Sequence, residues 1–119
     1  MSDDFEAEWE RCKKHLEGAL AGLWTLDAVE REIRAHRAVL WPMKKSAVVT
    51  QVHEHPNGRA LRIWLAGGDL GELLSFLPAV DNYARSQDCI QVEIEGRPGW
   101  ERVLAGYEKR RVILVKEIS

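Results

Sequence analysis

A chain of 119 residues, 45% apolar and 30% charged, is long enough to bury one core, and this composition excludes a disordered polymer. A formal net charge of −2 leaves no basic footprint for nucleic acid. No signal peptide and no long apolar run is visible, so the expected location is the cytoplasm, without a membrane partner.

Phe5, Trp9, Cys12, Leu16, Leu20 and Leu23 recur at spacings of three and four. That stripe predicts an amphipathic helix over 4–23, preceded by disorder and weakened late by Gly18 and Gly22. Thr25 reads as the N-cap of a second helix, with Trp24 and Val29 at the positions of a hydrophobic staple. Leu26, Val29, Ile33 and then Val39 would line its buried side, and Pro42 ends the run. Tryptophans at 9, 24, 41, 64 and 100 are many for this length. Core packing accounts for several of them. Phe5, Trp9 and Trp41 are interface candidates, since an N-terminal helix with an exposed aromatic stripe would serve as a docking arm. The alternative is that this helix packs on its own sheet.

The period then changes to that of strands. Residues 46–52 are β-branched, His55-Pro56-Asn57-Gly58 is hairpin-turn chemistry, and 60–66 return as the second arm. Leu61, Ile63 and Leu65 fall on one face and Trp64 on the other, as in a central strand covered on both sides. Gly67-Gly68 closes it. Asp69 and Glu72 form a capping-box-like pair ahead of Leu70, Leu73, Leu74 and Leu77. Pro78 predicts a kink, or a second short helix over 78–86. Ile90, Val92 and Ile94 alternate with polar neighbours in a further strand. Gly96-Arg97-Pro98-Gly99 leads into a short helix over 100–105, and 111–118 is the expected last strand. The fold class is therefore α/β (α+β): a mixed central sheet flanked by helices, with 1–24 as a helical extension of a domain spanning 25–119.

Over 25–118 this order resembles the GNAT superfamily of N-acetyltransferases. The likeness is carried by the strand 61–66 with its Gly67-Gly68 exit, the helix over 70–86, the strand 90–94, and the Gly99-Trp100 helix ending in Ala105-Gly106-Tyr107. More narrowly, Ile63-Trp64-Leu65-Ala66-Gly67-Gly68-Asp69-Leu70 and Gly96-Arg97-x-Gly99-Trp100 resemble motifs of small GNAT-like proteins of bacteriophages and prophages. The family's first strand is not evident, and its terminal hairpin is reduced to one strand. The resemblance implies a scaffold built for acetyl-CoA. For the phage proteins it implies virion-gene neighbours, no established reaction, and a location in the host cytoplasm or the virion.

If CoA binds, the resemblance assigns it to Leu65, Ala66, Gly67, Gly68 and Gly71. Asp69 works against this, because its carboxylate would take the same helix-terminal N–H groups and repel a phosphate. The strand 61–66 holds no carboxylate base, and Glu54 near the turn is the nearest. Four residues before Gly106, where the family places a tyrosine acid, stands Arg102, which stays protonated. Tyr107 reads as a packing residue. No catalytic residue is therefore assigned.

Cys12 and Cys89 lack CxxC partners, and His53 with His55 supplies two imidazoles where zinc needs three or four ligands, so no metal is expected. His15 and His36 read as solvated, and Ser46, Ser75 and Ser86 lack a nucleophile-elbow context. Lys109-Arg110-Arg111 reads as a solvated turn, with phosphate binding as the lesser reading. The expected function is a GNAT-like protein with degenerate catalytic motifs, acting through a protein partner (a phage protein or a second copy) or in virion assembly. The alternatives are an acyl-CoA-dependent N-acyltransferase with an unconventional acid/base set, and a small-molecule sensor keeping a CoA pocket.

Overall fold

A computed structural model describes residues 2–20, 22–95 and 100–118. In chain order they form α1 (Ser2–Leu16), a 3-10 turn (Glu17–Ala19), α2 (Leu26–Arg34), β1 (Val39–Pro42), β2 (Ser46–His55), β3 (Gly58–Gly68), α3 (Leu70–Ser86), β4 (Cys89–Ile94) and a second 3-10 turn (Trp100–Arg102). The four strands make one sheet in the order β1-β2-β3-β4. Its first three strands are antiparallel, whereas β4 lies parallel to β3 because α3 carries the chain back across the sheet.

Apolar residues on both faces of β3 build two cores, one on each side of the sheet. On one side Leu61 and Ile63 meet Val48, Leu73, Val80 and Ala84 under α3. On the other, Trp64 and Leu65 meet Trp9, Cys12, Leu16, Val29 and Ile33 of the first two helices. Strict alternation places Leu65 with Leu61 and Ile63, and the structure departs from it. The register slips so that Val49 faces Leu65 while Thr50 faces Ile63, which makes Trp64 the extra residue of a bulge. The slip turns Leu65 onto the α1 side and Ala66 onto the α3 side.

The N-terminal helix packs on its own sheet. Trp9 is buried, Phe5 stacks on it at 6.3 Å, and the Arg34 guanidinium lies 4.7 Å from the Phe5 ring. Trp41 is half-buried on the opposite face, edge-on to Phe76 and Tyr83, and donates its indole N–H to Thr50 Oγ1 at 3.0 Å. The three interface candidates are thus held by intramolecular contacts. Helix α1 starts at Ser2 and ends at Leu16, shorter than its stripe suggests, and Leu23 is exposed.

Thr25 caps α2 as expected, accepting the Ala28 N–H at 3.1 Å. Trp24 lies edge-on to Trp64 at 4.8 Å. Helix α2 stops at Arg34, His36 turns the chain with φ 61°, and Val39 opens strand β1 instead of extending the helix. Pro42 is tolerated there because β1 is an edge strand.

Helix α3 runs as one helix through Pro78, with no separate second helix over 78–86. Pro78 is exposed, so water can serve the Leu74 carbonyl that loses its N–H partner. The expected last strand is absent: residues 107–118 have no regular structure and make no sheet pairing. The Gly96–Gly99 motif lies outside the described residues.

Leu61 is among the largest fully buried side chains. Leu61→Ala should cost about 2–5 kcal/mol, read as a lower urea midpoint at unchanged slope.

Candidate functional site

Strands β3 and β4 pair from Arg59↔Cys89 to Ile63↔Ile94, and their last link is the Glu95 N–H to the Ile63 carbonyl at 3.5 Å. Beyond it, β3 continues to Gly68 without β4 beside it. Parallel strands that part at their carboxyl ends leave a crevice, the usual place for a ligand in crossover-connected sheets. The sheet contributes Val48, Ile63, Ala66 and Ile94 as its floor. Helix α3 adds Leu70, Leu73, Leu74, Phe76 and Leu77, and the segment after β4 adds Trp100 and Leu104. The enclosed space of the cleft is small, about 20 Å³, room for a water-sized group. Leu70 lines it yet is 46% exposed, which places it at the opening. Among the described residues no charged side chain lines the cleft, so what it offers there is apolar contact.

Of the five residues assigned to CoA, only Ala66 lines this cleft. Leu65 is buried in the core beneath α1. Gly67 lies under the C-terminal end of α1, where a Cβ would overlap the His15 carbonyl. Gly68, with φ 121°, is pressed against Lys45 and Ser46. Gly71 is exposed in the first turn of α3. Both glycines of the strand exit therefore admit neighbouring backbone.

Two donors at the start of α3, the Asp69 and Glu72 N–H groups, are likewise used within the chain. Asp69 accepts the Glu72 N–H at 2.8 Å, as a cap does. The reciprocal half of the capping box is missing. Glu72 instead accepts the Lys45 N–H at 2.9 Å, and the Asp69 N–H goes to the Lys45 carbonyl at 3.2 Å and to Ser46 Oγ at 3.1 Å. Four polar links thus fasten the helix start to the β1–β2 turn or to itself.

The other candidates are scattered. Glu54 is exposed at the hairpin, 3.5 Å from Arg59, at the opposite end of β3 from the cleft. Arg102 is exposed. Tyr107 is half-buried with its hydroxyl enclosed and without a hydrogen bond, and burial together with Asp81 pushes its ionisation up. The His53 and His55 rings lie 6.5 Å apart. Burial and the Arg62 charge hold His53 below the usual histidine range. Cys12 and Cys89 are free thiols pushed up by burial, and no three His, Cys, Asp or Glu converge among the described residues. Of the basic turn, Arg110 pairs with Glu108 at 2.7 Å and Arg111 with Glu93 at 3.2 Å.

Glu93 is the residue the sequence did not single out. Its side chain is only 12% exposed, between Arg62 at 3.2 Å and Arg111. Burial opposes its charge, but hydrogen bonds from Gln91 and Arg62 and the charges of Arg62 and Arg111 hold the carboxyl below the usual range. The cleft residues were missed as a site for another reason: their helical spacing reads as core, and only Leu70 betrays an opening.

Fold and site define an α+β protein whose crossover helix overhangs an apolar cleft at the parting of two parallel strands. The chain is similar in structure to TTHA1254 from Thermus thermophilus, at 18% identity in both a point mutant (TM-score 0.64, 96% of this chain against 92% of that one) and the wild type (TM-score 0.62, 95% against 92%). That likeness is one of fold. No protein-family model matches the sequence, and no curated protein matches it.

Two outcomes follow from this geometry. Gly67→Ala should destabilise the ligand-free protein by about 1–3 kcal/mol through overpacking against His15, whereas Gly71→Ala should be neutral or gain up to about 1 kcal/mol in α3. Thermal melts of the two variants check this. The Glu93 carboxyl, lower in the folded than in the unfolded state, contributes stability that is complete above its unfolded value near 4.5 and lost as pH falls through its folded value. Glu93→Gln should cost roughly 1–3 kcal/mol at neutral pH and flatten the loss of stability below pH 4.5, as followed by urea unfolding across pH.

Proposed function

We propose that this chain is a GNAT-like scaffold that works by binding, as a protein-interaction or assembly component of the kind the phage resemblance implies, and not by acetyl transfer. One observation carries this reading. At the strand exit and helix start where a cofactor's phosphates would rest, the Glu72 N–H is taken by the Asp69 carboxylate, the Asp69 N–H by Lys45 and Ser46, and Gly67 and Gly68 are packed against the backbone of His15, Lys45 and Ser46. An incoming anion would have to displace a carboxylate from its own helix start, at a site already holding one negative charge. The cleft beside it offers dispersion and burial, and none of the described residues that line it carries an acid or base.

The second reading, an acyl-CoA-dependent N-acyltransferase, is favoured by the position of the cleft beside the carboxyl end of β4. A ligand present at 100 times its Kd stabilises the folded state by about 2.7 kcal/mol, a shift of several degrees in Tm for a domain of this size. Millimolar CoA and acetyl-CoA should leave the melting temperature unchanged. A concentration-dependent rise with either would favour the acyltransferase and sink the binding-only reading.

A further inference from the structure

Residues 111–118, Arg-Val-Ile-Leu-Val-Lys-Glu-Ile, are composed like a strand yet pair with nothing in the single chain. Val112, Ile113, Leu114, Val115 and Ile118 are 68–92% exposed. Among the described residues no backbone hydrogen bond reaches 111–118. Five large apolar side chains in one eight-residue segment, left in water with unpaired amides, mark a surface that a partner covers.

The sheet offers a matching vacancy. Strand β4 closes the order β1-β2-β3-β4 and, among the described residues, is paired only with β3, so that its outer row of N–H and C=O groups meets no described strand. Ile90 on that strand is 67% exposed. Charges agree as well. Strand β4 and the residue after it carry Glu93 and Glu95, while Arg110, Arg111 and Lys116 flank and interrupt the apolar run, with Glu117 the one acid among them. The Arg111–Glu93 pair at 3.2 Å already shows one such match and brings the root of the segment to its own β4. The own edge is thus within reach, and the residues beyond Arg111 nevertheless leave it untouched.

We propose that 111–118 adds as a fifth strand to the open β4 edge of a second copy of this chain, each copy lending its segment to the other. Such an exchange is isologous: two segments and two edges satisfy each other about one two-fold axis and leave none over for further growth. Ladder hydrogen bonds supply affinity, and alternate side chains of the added strand cover the half-open β4 face. The inference goes beyond the reading of the cleft, since a chain that bound CoA would exchange strands equally well.

Light scattering after size exclusion decides the stoichiometry, and mixed isotope labelling decides the pairing. The full chain should elute at twice its 13.6 kDa mass, and a one-to-one mixture of 15N-labelled and 13C-labelled chains, refolded together, should show contacts between 111–118 of one copy and β4 of the other. Ile113→Lys with Val115→Lys should give a monomer with unchanged far-ultraviolet circular dichroism, because the segment makes no contact on which the single chain's fold depends. Overturning results are a monomer throughout the micromolar to millimolar range, labelled contacts confined to one chain (closure on the own edge), or a dimer that survives the double substitution. Should the double variant fail to fold, the labelling result on the unaltered chain still decides.

Discussion

The seating of the α1 carbonyl end on Gly67 is the contact on which the remainder of the molecule rests. A backbone oxygen from His15 occupies the volume that any side chain at 67 would need. Because α1 can approach that closely, Trp9, Cys12 and Leu16 reach the sheet and join Val29 and Ile33 over Val49 and Trp64. The same strand exit is held from its other neighbour by Lys45 and Ser46, which also take up the polar groups at the start of α3. Three segments remote in sequence therefore meet within a few residues of Gly67. Closeness of backbone to backbone, which only glycine permits, fixes the helices on both faces relative to β3.

That arrangement has a chemical consequence. Helix starts and glycine turns are well suited to phosphate because they present N–H groups without obstruction. Here a cap engages the Glu72 N–H, and a turn carbonyl with a serine hydroxyl engages the Asp69 N–H. The crevice left by the divergence of β3 and β4 is consequently lined by hydrocarbon, with the charged residues of the sheet gathered around Glu93 and the hairpin instead. Among the described residues, charge and apolar burial are thus separated in space.

Much of the fold was legible in the chain. The apolar stripe of α1, the Thr25 cap, the hairpin at Pro56-Asn57 and the Asp69 helix start are local signals, set by side chains within one turn or one pleat of each other. Three readings failed where distant contacts decided. Trp64 became a bulge because both helices and sheet had to be served from β3, and this moved Leu65 to the other core. Val39 joined an edge strand because β2 was there to pair with it, whatever its helical spacing suggested. The 111–118 segment kept its strand composition but found no edge in its own chain, and composition alone forms no ladder.

The sequence by itself determined where α1, α2, α3 and the strands β2, β3 and β4 lie, that β3 is apolar on both faces, and that an acid stands at the start of α3, since periodicity and capping act over a few residues. Only the tertiary structure decided what the glycines are for, which leucines line an opening, and where Glu93 finds its arginines. Those are questions of who the neighbour is, and neighbours brought together from distant parts of the chain leave no pattern in its order.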